Sequence, residues 1–429
     1  MACHILHSQG KPIAMLSCFC GKWVLNPATG EVITSVPWMG RKETADAIVS
    51  SYEAFSSWSK LIATERSKYL RKWYDLIVTT RRSCFTANLE QGKPLKEALG
   101  EVGYGANFIE FYAERQSVSM PVGVVAAITP WNFLSRHDYS QAVVKPSEFT
   151  PLTALAVAEL ALQAGIPPGA LNVVMGNAPE IGDTLLESPQ VRKITFTGST
   201  NVGKKLMAGA AKTVKKVSLE LGGNAPCIVF DDADLDLAVR GCLELKFRNS
   251  GQTCVSANRI FVQDGIYEKF SGAFSKAVKA MQVGNGLAEG TVQGPLINEA
   301  AVQKVESLIK DATSKDIMNS GCEIVLGGKR HSLGMTEEIF GPVAPLLRFK
   351  TEKEAIHMAN DTNAGLAAFI YTTSIPRSWL VSEALEYGMI GVAPFGGVKQ
   401  SGLGREGSKY GMDEYMETKY VCLGNIKDE

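Results

Sequence analysis

The chain has 429 residues, 45% of them apolar, and this length and composition suit a globular protein of two or three domains with a large core. Lysine and arginine together number 44, as do aspartate and glutamate, so no net charge draws the chain to nucleic acid or to an anionic membrane. No apolar run approaches the roughly 18 residues of a membrane helix, and a small molecule is therefore the expected partner.

Helical periodicity comes first along the chain. Residues 42–79 and 93–114 repeat apolar side chains at steps of three and four, which predicts helices packed on a core. Buried strands are then predicted over 121–129, 143–145, 171–175, 191–196 and 217–221, with helices over 153–164 and 202–211. This alternation is typical of a parallel α/β sheet with crossover helices.

A second α/β pattern begins after Gly222 and Gly223. It opens with a strand over 228–230 and a helix over 234–247, and it continues to about Gly391. A glycine-rich segment then opens a C-terminal part that ends in a Tyr/Val stretch with strand character. Ligands of parallel sheets bind at the carboxyl ends of the strands, so the polar residues after each strand are the candidates for chemistry.

The segment NSGQTC places Cys254 after the predicted helix 234–247. Most cysteines are small core residues, and this one is among nine scattered cysteines that form neither a zinc pattern nor a disulfide framework. Its neighbours are polar or flexible, however, and a reactive thiolate needs access and hydrogen-bond donors. We therefore interpret Cys254 as a candidate nucleophile in a reducing compartment. The five histidines lack H-E-x-x-H spacing, and no metal site is predicted.

Two other segments end strands with groups suited to acyl chemistry. In SLELGG, alternation puts Ser218 and Glu220 on one strand face beside the glycines, where a general base would sit. The alternative is a glutamate that faces solvent. In TPWN, Asn132 follows a strand and a proline turn, and its amide can donate to a developing oxyanion. The alternative is an asparagine that serves only the turn.

The segment FTGS combines a strand, a turn at Gly198 and Ser199, and a helix start. Backbone N–H groups at a helix N-terminus suit a pyrophosphate. The spacing from Gly198 to Lys204 also matches a P-loop, and residues 227–231 imitate the acidic strand of an NTPase. Lys205 stands where a P-loop carries the Ser or Thr that binds magnesium, which disfavours the NTPase interpretation.

As a set, TPWN, FTGS, SLELGG and NSGQTC resemble the aldehyde dehydrogenase superfamily, and the resemblance runs from about Gly21 to Gly424. KPSEFTP, GPLIN, EEIFGPV, NAGLAA and PFGGVKQSGLGREG are most similar to succinate-semialdehyde dehydrogenases of the plant mitochondrial type. The resemblance implies an α/β aldehyde dehydrogenase fold in three parts. These are a Rossmann-like NAD-binding domain at 21–222, a catalytic domain at 223–392, and a C-terminal return and oligomerisation segment at 393–429.

The resemblance also implies NAD-dependent oxidation of succinate semialdehyde to succinate, as in GABA degradation. Cys254 would form a thiohemiacetal and then a thioester, with the oxyanion held by the Asn132 amide and the Cys254 N–H. Glu220 would activate the water that hydrolyses the thioester. A broad small-aldehyde dehydrogenase and an inactive relic that still binds NAD are the alternatives.

Cofactor and substrate contacts follow from the same resemblance. Glu148 favours NAD over NADP, because its carboxylate accepts from ribose hydroxyls and repels a 2′-phosphate. Arg248 resembles a substrate arginine, since a guanidinium matches the far carboxylate of a four-carbon aldehyde acid. The alternative is a surface arginine at a helix end. The residues expected to bind NAD are Thr129, Pro130, Trp131, Lys145, Ser147, Glu148, Gly198, Ser199, Glu338 and Phe340.

The chain also departs from the family at several junctions. Residues 134–144 are too few for the expected helix and strand, and the second substrate arginine is lost, with Arg136 as a possible substitute. Further stretches are missing near 335–336, at 391–393 and at 115–120, where the family has the excursion that builds its oligomer. Such losses expose apolar surface and sheet edges, so we expect weak or no turnover despite intact Cys254 and Glu220.

The oligomeric state and the subcellular location are expected from the family resemblance alone. The resemblance implies a homotetramer in the mitochondrial matrix, and the shortened arm puts that assembly in question here. The first 20 residues show neither a transit nor a secretory pattern, and a chain without a transit peptide would stay in the cytosol. Ser256 stands where relatives often carry a second cysteine, so a 254–256 disulfide cannot form.

Overall fold

The computed structural model describes residues 21–80, 82–114, 120–133, 142–314, 322–326, 329–331, 337–390, 395–406, 411 and 414–417. In these ranges the chain forms two six-stranded sheets with helices packed against them, which confirms the predicted α/β fold class. The part of the chain that is described contains no helix long and apolar enough to cross a membrane.

The N-terminal part contains a β-hairpin and four helices. The hairpin, which the sequence patterns do not reveal, consists of β1 (Gly21–Leu25) and β2 (Val32–Pro37). The helices are α1 (Arg41–Trp58), α2 (Ala63–Thr80), α3 (Arg82–Gln91) and α4 (Leu95–Glu114). On α2, the buried indole of Trp73 donates to the carbonyl of Val157 at 3.0 Å, which anchors this helix to α5 (Leu152–Ala164).

The first sheet contains five parallel strands and one antiparallel strand. Its strands are β4 (Val124–Ile128), β5 (Ala142–Lys145), β6 (Leu171–Val173), β7 (Val191–Thr197), β8 (Lys216–Glu220) and β17 (Gly402–Leu403). They lie in the order β6-β5-β4-β7-β8-β17, and only β17 runs antiparallel to its neighbour. Three helices connect the parallel strands: α5, α6 (Ala178–Glu187) and α7 (Thr200–Ala211).

The strand order reverses between β4 and β7. From β4 the chain moves outward through β5 to β6, and it then returns to β7 and β8 on the other side. The segments after β4 and β7 therefore diverge and leave a crevice at the carboxyl ends, where open α/β sheets bind ligands. TPWN follows β4, and Gly198 with Ser199 follows β7. The topology thus brings two of the predicted segments to one crevice.

The strand predicted over 121–129 is in fact two strands. β3 (Met120–Pro121) is separated from β4 because Gly123 has φ +117°, a conformation that interrupts an extended strand. A Cβ at this position would also lie 2.8 Å from the side chain of Arg192. Helix α6 has no counterpart among the predicted elements; Asn177 begins it by accepting a hydrogen bond from the N–H of Glu180 at 3.4 Å.

The second sheet is also built around parallel strands. Its strands are β9 (Pro226–Val229), β10 (Arg259–Gln263), β11 (Cys322–Leu326), β12 (Lys329–His331), β13 (Ala344–Phe349) and β15 (Phe369–Tyr371). They lie in the order β12-β11-β13-β10-β9-β15. The neighbouring helices are α8 (Leu235–Phe247), α9 (Tyr267–Lys279), α10 (Glu299–Ser314), α11 (Glu352–Asn360) and α12 (Ile375–Ala384). On β9, Cys227 and Val229 join one apolar cluster and Ile228 joins another, so this central strand is buried on both faces.

The position of β9 shows that the NTPase interpretation is wrong. The acidic strand of an NTPase has to reach the magnesium ion beside the P-loop. Here Asp231 follows β9 in the second sheet, whereas the Gly198 turn follows β7 in the first. Lys204 instead donates to the side chain of Gln400 at 2.8 Å, on the surface.

Short strands complete the C-terminal part. β14 (Ala364–Gly365) pairs with β16 (Val398–Lys399), and β18 (Met416–Glu417) pairs with β3. The predicted Tyr/Val strand lies outside the described residues. So do Arg136 and residues 115–119, 134–141, 332–336 and 391–394, which contain most of the junctions where the sequence indicates missing stretches.

Candidate active site

A cavity of about 610 Å3 opens at the crevice between β4 and β7. Cys254 and Asn132 both line it, so the predicted nucleophile and the predicted oxyanion donor share one space. The ten residues expected to bind NAD line it as well: Thr129, Pro130, Trp131, Lys145, Ser147, Glu148, Gly198, Ser199, Glu338 and Phe340. Two predicted residues, Glu220 and Arg248, are not among the lining residues.

Cys254 reaches the cavity from a strained turn that follows α8. Asn249 and Ser250 have φ +53° and +55°, a left-handed conformation that costs about 1–3 kcal/mol for each non-glycine residue. The Asn249 and Gln252 side chains hold this turn by each donating to the other's backbone carbonyl, at 3.2 and 3.1 Å. The side-chain oxygen Oε1 of Gln252 also accepts a hydrogen bond from the backbone N–H of Ile297 at 2.9 Å. The half-buried thiol of Cys254 is therefore presented by a fixed turn.

Asn132 lies against the same turn. Its side-chain amide donates to the backbone carbonyl of Gln252 at 2.9 Å, and its own backbone carbonyl accepts from the ammonium of Lys93 at 2.7 Å. The amide carries two N–H bonds, and the contact with Gln252 uses one of them. Asn132 is buried, so it has the fixed position that an oxyanion donor requires.

Glu220 is the last residue of β8 and lies just behind the cavity wall. Its side chain is 3% exposed, so the interpretation of Glu220 as a solvent-facing glutamate is wrong. The following residues Leu221 and Gly222 line the cavity, and a Cβ added to Gly223 would lie 2.1 Å from the Cys254 carbonyl. Gly223 therefore allows the chain after β8 to pack directly on the backbone of Cys254. A carboxylate at this position has to turn towards the cavity in order to act there.

The Lys145–Glu148 pair lies in the cavity near the end of β5. The ammonium and carboxylate are 3.3 Å apart. Burial lowers the pKa of Lys145, and the carboxylate of Glu148 partly opposes this effect. Burial acts to raise the pKa of Glu148, but its own backbone N–H and Lys145 outweigh burial and keep it below the usual value. Glu148 is therefore ionised at neutral pH, as a hydrogen-bond acceptor for ribose hydroxyls would need to be.

Gly198 and Ser199 lie just before α7 and line the same cavity as this pair. A Cβ on Gly198 would lie 2.4 Å from the ring of Phe196, so a side chain does not fit there. The Ser199 hydroxyl accepts from the N–H of Val202 at 3.4 Å and caps the helix. The remaining N–H groups of the first turn point along the helix axis and suit an anion. Together with the cavity volume, this exposed backbone fits a dinucleotide.

Glu338 and Phe340 close the other side of the cavity. Burial raises the pKa of Glu338 to about 7, and the N–H of Gly223, which its carboxylate accepts at 3.1 Å, opposes this rise. The ring of Phe340 meets that of Trp131 edge to face at 5.5 Å between centroids. Phe340 has φ +54°, so backbone strain occurs on this wall as well as at the Cys254 turn.

Arg248 is placed less favourably than the sequence suggests. It is exposed at the end of α8, and its guanidinium lies 5.4 Å from the centroid of the Phe133 ring. Phe133 itself lines the cavity. Arg248 thus sits outside the cavity wall, with one aromatic ring between its guanidinium and the interior.

Several residues that build the site are not indicated by the sequence patterns. The start of α10, including Ala300, Ala301 and Lys304, lines the cavity. Lys93 contacts the backbone of Asn132, and Glu97 contacts the turn that leads to Cys254. The segment GPLIN, which directly precedes α10, could have indicated that the start of this helix lies at the site. No local pattern indicates that the start of α4 reaches the site. Within the described ranges, no cluster of His, Cys, Asp and Glu could hold a metal ion.

Comparisons with known proteins agree with this geometry. Residues 22–421 match the aldehyde dehydrogenase family. A mitochondrial succinate-semialdehyde dehydrogenase of Arabidopsis thaliana is 63% identical over 472 residues, covering 95% of this chain and 88% of that protein. The succinate-semialdehyde dehydrogenase GabD of Escherichia coli, whose name specifies NADP(+), is 47% identical and covers 94% of both proteins. The 472-residue alignment exceeds the 429 residues of this chain, which confirms that internal segments are missing here.

Solved structures give the same answer. A succinate-semialdehyde dehydrogenase from Burkholderia pseudomallei matches with a TM-score of 0.88 and 47% identity, over 94% of each chain. A betaine aldehyde dehydrogenase from Staphylococcus aureus in complex with NAD+ matches with a TM-score of 0.85 and 32% identity, over 94% of this chain and 91% of that one. The fold is thus the aldehyde dehydrogenase fold, and the chain belongs to the aldehyde dehydrogenase family of NAD(P)-dependent, aldehyde-oxidising enzymes.

Proposed function

We propose that the chain oxidises succinate semialdehyde to succinate, with NAD as cofactor and Cys254 as nucleophile. The single cavity that holds Cys254, Asn132 and the Lys145–Glu148 pair carries this proposal. Relatives named as succinate-semialdehyde dehydrogenases support the substrate. In this proposal residues 21–222 bind NAD, residues 223–392 supply the thiol, and 393–429 form the C-terminal return.

The chemistry begins with addition of the Cys254 thiolate to the aldehyde carbon. The resulting oxyanion accepts hydrogen bonds from the Asn132 amide and the backbone N–H of Cys254. Bound NAD supplies the hydride acceptor, and a thioester on Cys254 is the product of this step. Glu220 turns into the cavity and takes a proton from water, whose oxygen attacks the thioester carbon. The acid leaves, and the thiolate of Cys254 is restored.

The choice of NAD over NADP depends on the charge of Glu148. Replacing Glu148 with glutamine should raise kcat/KM for NADP+ relative to NAD+ by about tenfold, because the carboxylate no longer repels a 2′-phosphate. Initial rates with each dinucleotide at saturating aldehyde measure this ratio. Glu289→Gln removes an equal charge from an exposed position and should leave the ratio unchanged. An NADP+ preference already present in the unaltered chain would contradict the NAD assignment.

The substrate assignment is tested with two aldehydes of equal length. Succinate semialdehyde carries a far carboxylate and butyraldehyde does not. If Arg248 swings from the Phe133 ring towards that carboxylate, Arg248→Met should lower kcat/KM for succinate semialdehyde by about 10- to 100-fold, the value of one charge-assisted hydrogen bond. Turnover of butyraldehyde should change little.

Arg240→Met is the matched control, because Arg240 is an exposed arginine on the same helix α8. The exposed position of Arg248 favours one alternative, a broad small-aldehyde dehydrogenase. That alternative holds if the unaltered chain uses both aldehydes equally well and Arg248→Met affects neither preference.

Location and assembly complete the proposal. The plant relatives are named mitochondrial, which supports the mitochondrial matrix for this chain. From the family resemblance we expect a homotetramer, in which the excursion near 115–120 that builds the oligomer is shortened. We further propose that the missing segments lower turnover relative to a full-length member of the family.

A further inference from the structure

The first turn of α4 and the residue Lys93 just before it contact the two halves of the proposed oxyanion site. The carboxylate of Glu97 accepts from the backbone N–H of Asn249 at 2.7 Å, at the start of the strained turn that presents Cys254. The ammonium of Lys93, just before the helix, donates to the backbone carbonyl of Asn132 at 2.7 Å. Neither Lys93 nor Glu97 lines the cavity. Their contacts therefore act on the site only through other residues.

Lys93 is a fixed point rather than a flexible surface lysine. It is 2% exposed, and its ammonium forms an ion pair with the equally buried Glu101. Its backbone carbonyl accepts from the Asn88 amide at 2.6 Å, and its N–H donates to the side chain of Gln91 at 3.1 Å. A buried ion pair of this kind needs its partner polar groups in place. The carbonyl of Asn132 is one of those groups.

The contacts form a closed ring. Lys93 holds Asn132, and the Asn132 amide donates to the carbonyl of Gln252 at 2.9 Å. Gln252 and Asn249 bond to each other reciprocally, and Asn249 donates back to Glu97 on α4. Because the ring closes through Lys93, just before α4, and Glu97, in its first turn, a shift of Asn132 or of the turn 249–252 disturbs at least one of these hydrogen bonds.

We propose that Lys93 and Glu97 are positioning residues for oxyanion stabilisation: Lys93 sets the Asn132 amide and Glu97 sets the turn that carries Cys254. This inference rests on the proposed function, in which both donors bind the oxyanion. A displacement of about 1 Å at such a site can cost on the order of 100-fold in rate. Binding of aldehyde and dinucleotide needs neither contact.

The turn is tested first by hydrogen–deuterium exchange, which requires no turnover. Glu97→Leu removes the acceptor for the Asn249 N–H, so exchange in the peptide 248–254 should accelerate about tenfold. Glu97→Gln keeps an acceptor oxygen and should restore most of the protection. Glu110→Leu makes the same change further along α4, where Glu110 pairs with Arg71, and should leave this peptide unaffected. Unchanged exchange in Glu97→Leu, or equal acceleration in Glu110→Leu, overturns the role of Glu97.

The Lys93 contact is tested by kinetics. Lys93→Met with Glu101→Gln removes both charges together, so neither charge is left buried alone. We expect kcat to fall at least about tenfold while KM for aldehyde and for NAD stays within about twofold, because the oxyanion is absent from the bound substrate and forms only when the thiolate adds to the aldehyde. If the double variant does not fold, Glu101→Gln alone, which weakens the anchor of Lys93, should show a smaller fall of the same kind. A rise in KM with unchanged kcat overturns the role of Lys93.

Different results would contradict the proposed function and the positioning role of Lys93 and Glu97. If the unaltered chain forms no NADH from any aldehyde, the proposed function fails, and the exchange experiment still decides whether Glu97 fixes the turn. If the chain turns over normally and the Glu97 and Lys93 variants behave like the control, only the positioning role fails.

Discussion

Replacing Cys254 with alanine should abolish NADH formation from succinate semialdehyde, with a fall on the order of 10,000-fold or more. The physical reason is that no thiohemiacetal and no thioester can form without the sulfur. There is then no covalent intermediate from which hydride can leave. NADH absorbance measures the rate. Binding of NAD, followed by calorimetry, should stay within about twofold, because Gly198, Ser199 and the Lys145–Glu148 pair are untouched.

Cys242→Ala provides the control for this experiment. Cys242 lies on the helix α8 that leads to the Cys254 turn, but it is fully buried in an apolar cluster outside the cavity. Its removal should leave turnover within about twofold. If Cys254→Ala retains turnover, the nucleophile is another group. If neither protein turns over although both bind NAD, the chain is a relic that has kept only its cofactor site.

Much of the site could be predicted because the carboxyl ends of parallel strands lie at the same edge of a sheet. TPWN follows β4, and FTGS and KPSE include the last residues of β7 and β5. The carboxyl ends of these strands meet at one crevice. Local sequence alone locates a strand and the polar residue after it. The parallel arrangement then places those residues together without any knowledge of tertiary contacts.

The residues behind the site could not be found in this way. Lys93 and Glu97 meet Asn132 and Asn249 across 39 and 152 positions of sequence, and neither lies in a pattern of its own. Gly92-Lys93-Pro94 predicts a helix break, and the structure has this break between α3 and α4. A helix break does not indicate where the lysine side chain points. Only tertiary packing decides that direction.

Burial of Glu220 shows a second limit. Alternation placed Ser218 and Glu220 on one face of β8, and it could not say whether that face meets solvent. The C-terminal segment covers part of β8, because β17 pairs with its edge and Glu414 lies 3.1 Å from the Ser218 hydroxyl. Both contacts come from residues almost 200 positions away. A strand that looks half exposed in sequence is therefore buried in the fold.

Replacing Glu220 with glutamine should separate the two halves of the reaction. Thiolate addition and hydride loss need no base at this position, so a burst of NADH close to one equivalent of enzyme should remain. Hydrolysis should slow by about 100- to 10,000-fold, the usual contribution of a general base, and the thioester should accumulate. Stopped-flow absorbance detects the burst, and mass spectrometry of the quenched protein detects a succinyl group on Cys254.

Glu90→Gln is the comparison for this variant, since Glu90 is also a buried glutamate, with a pKa that burial raises to about 7. Glu90 accepts from the N–H groups of Leu152 and Thr153 at the start of α5 and does not line the cavity, so its replacement can affect stability but should give no burst. Loss of both burst and steady state in Glu220→Gln would mean that Glu220 acts before hydride transfer, as the base for the thiol. If the steady-state rate of Glu220→Gln equals that of the unaltered chain, another group activates the water. Glu220 then stays behind the cavity wall throughout the reaction.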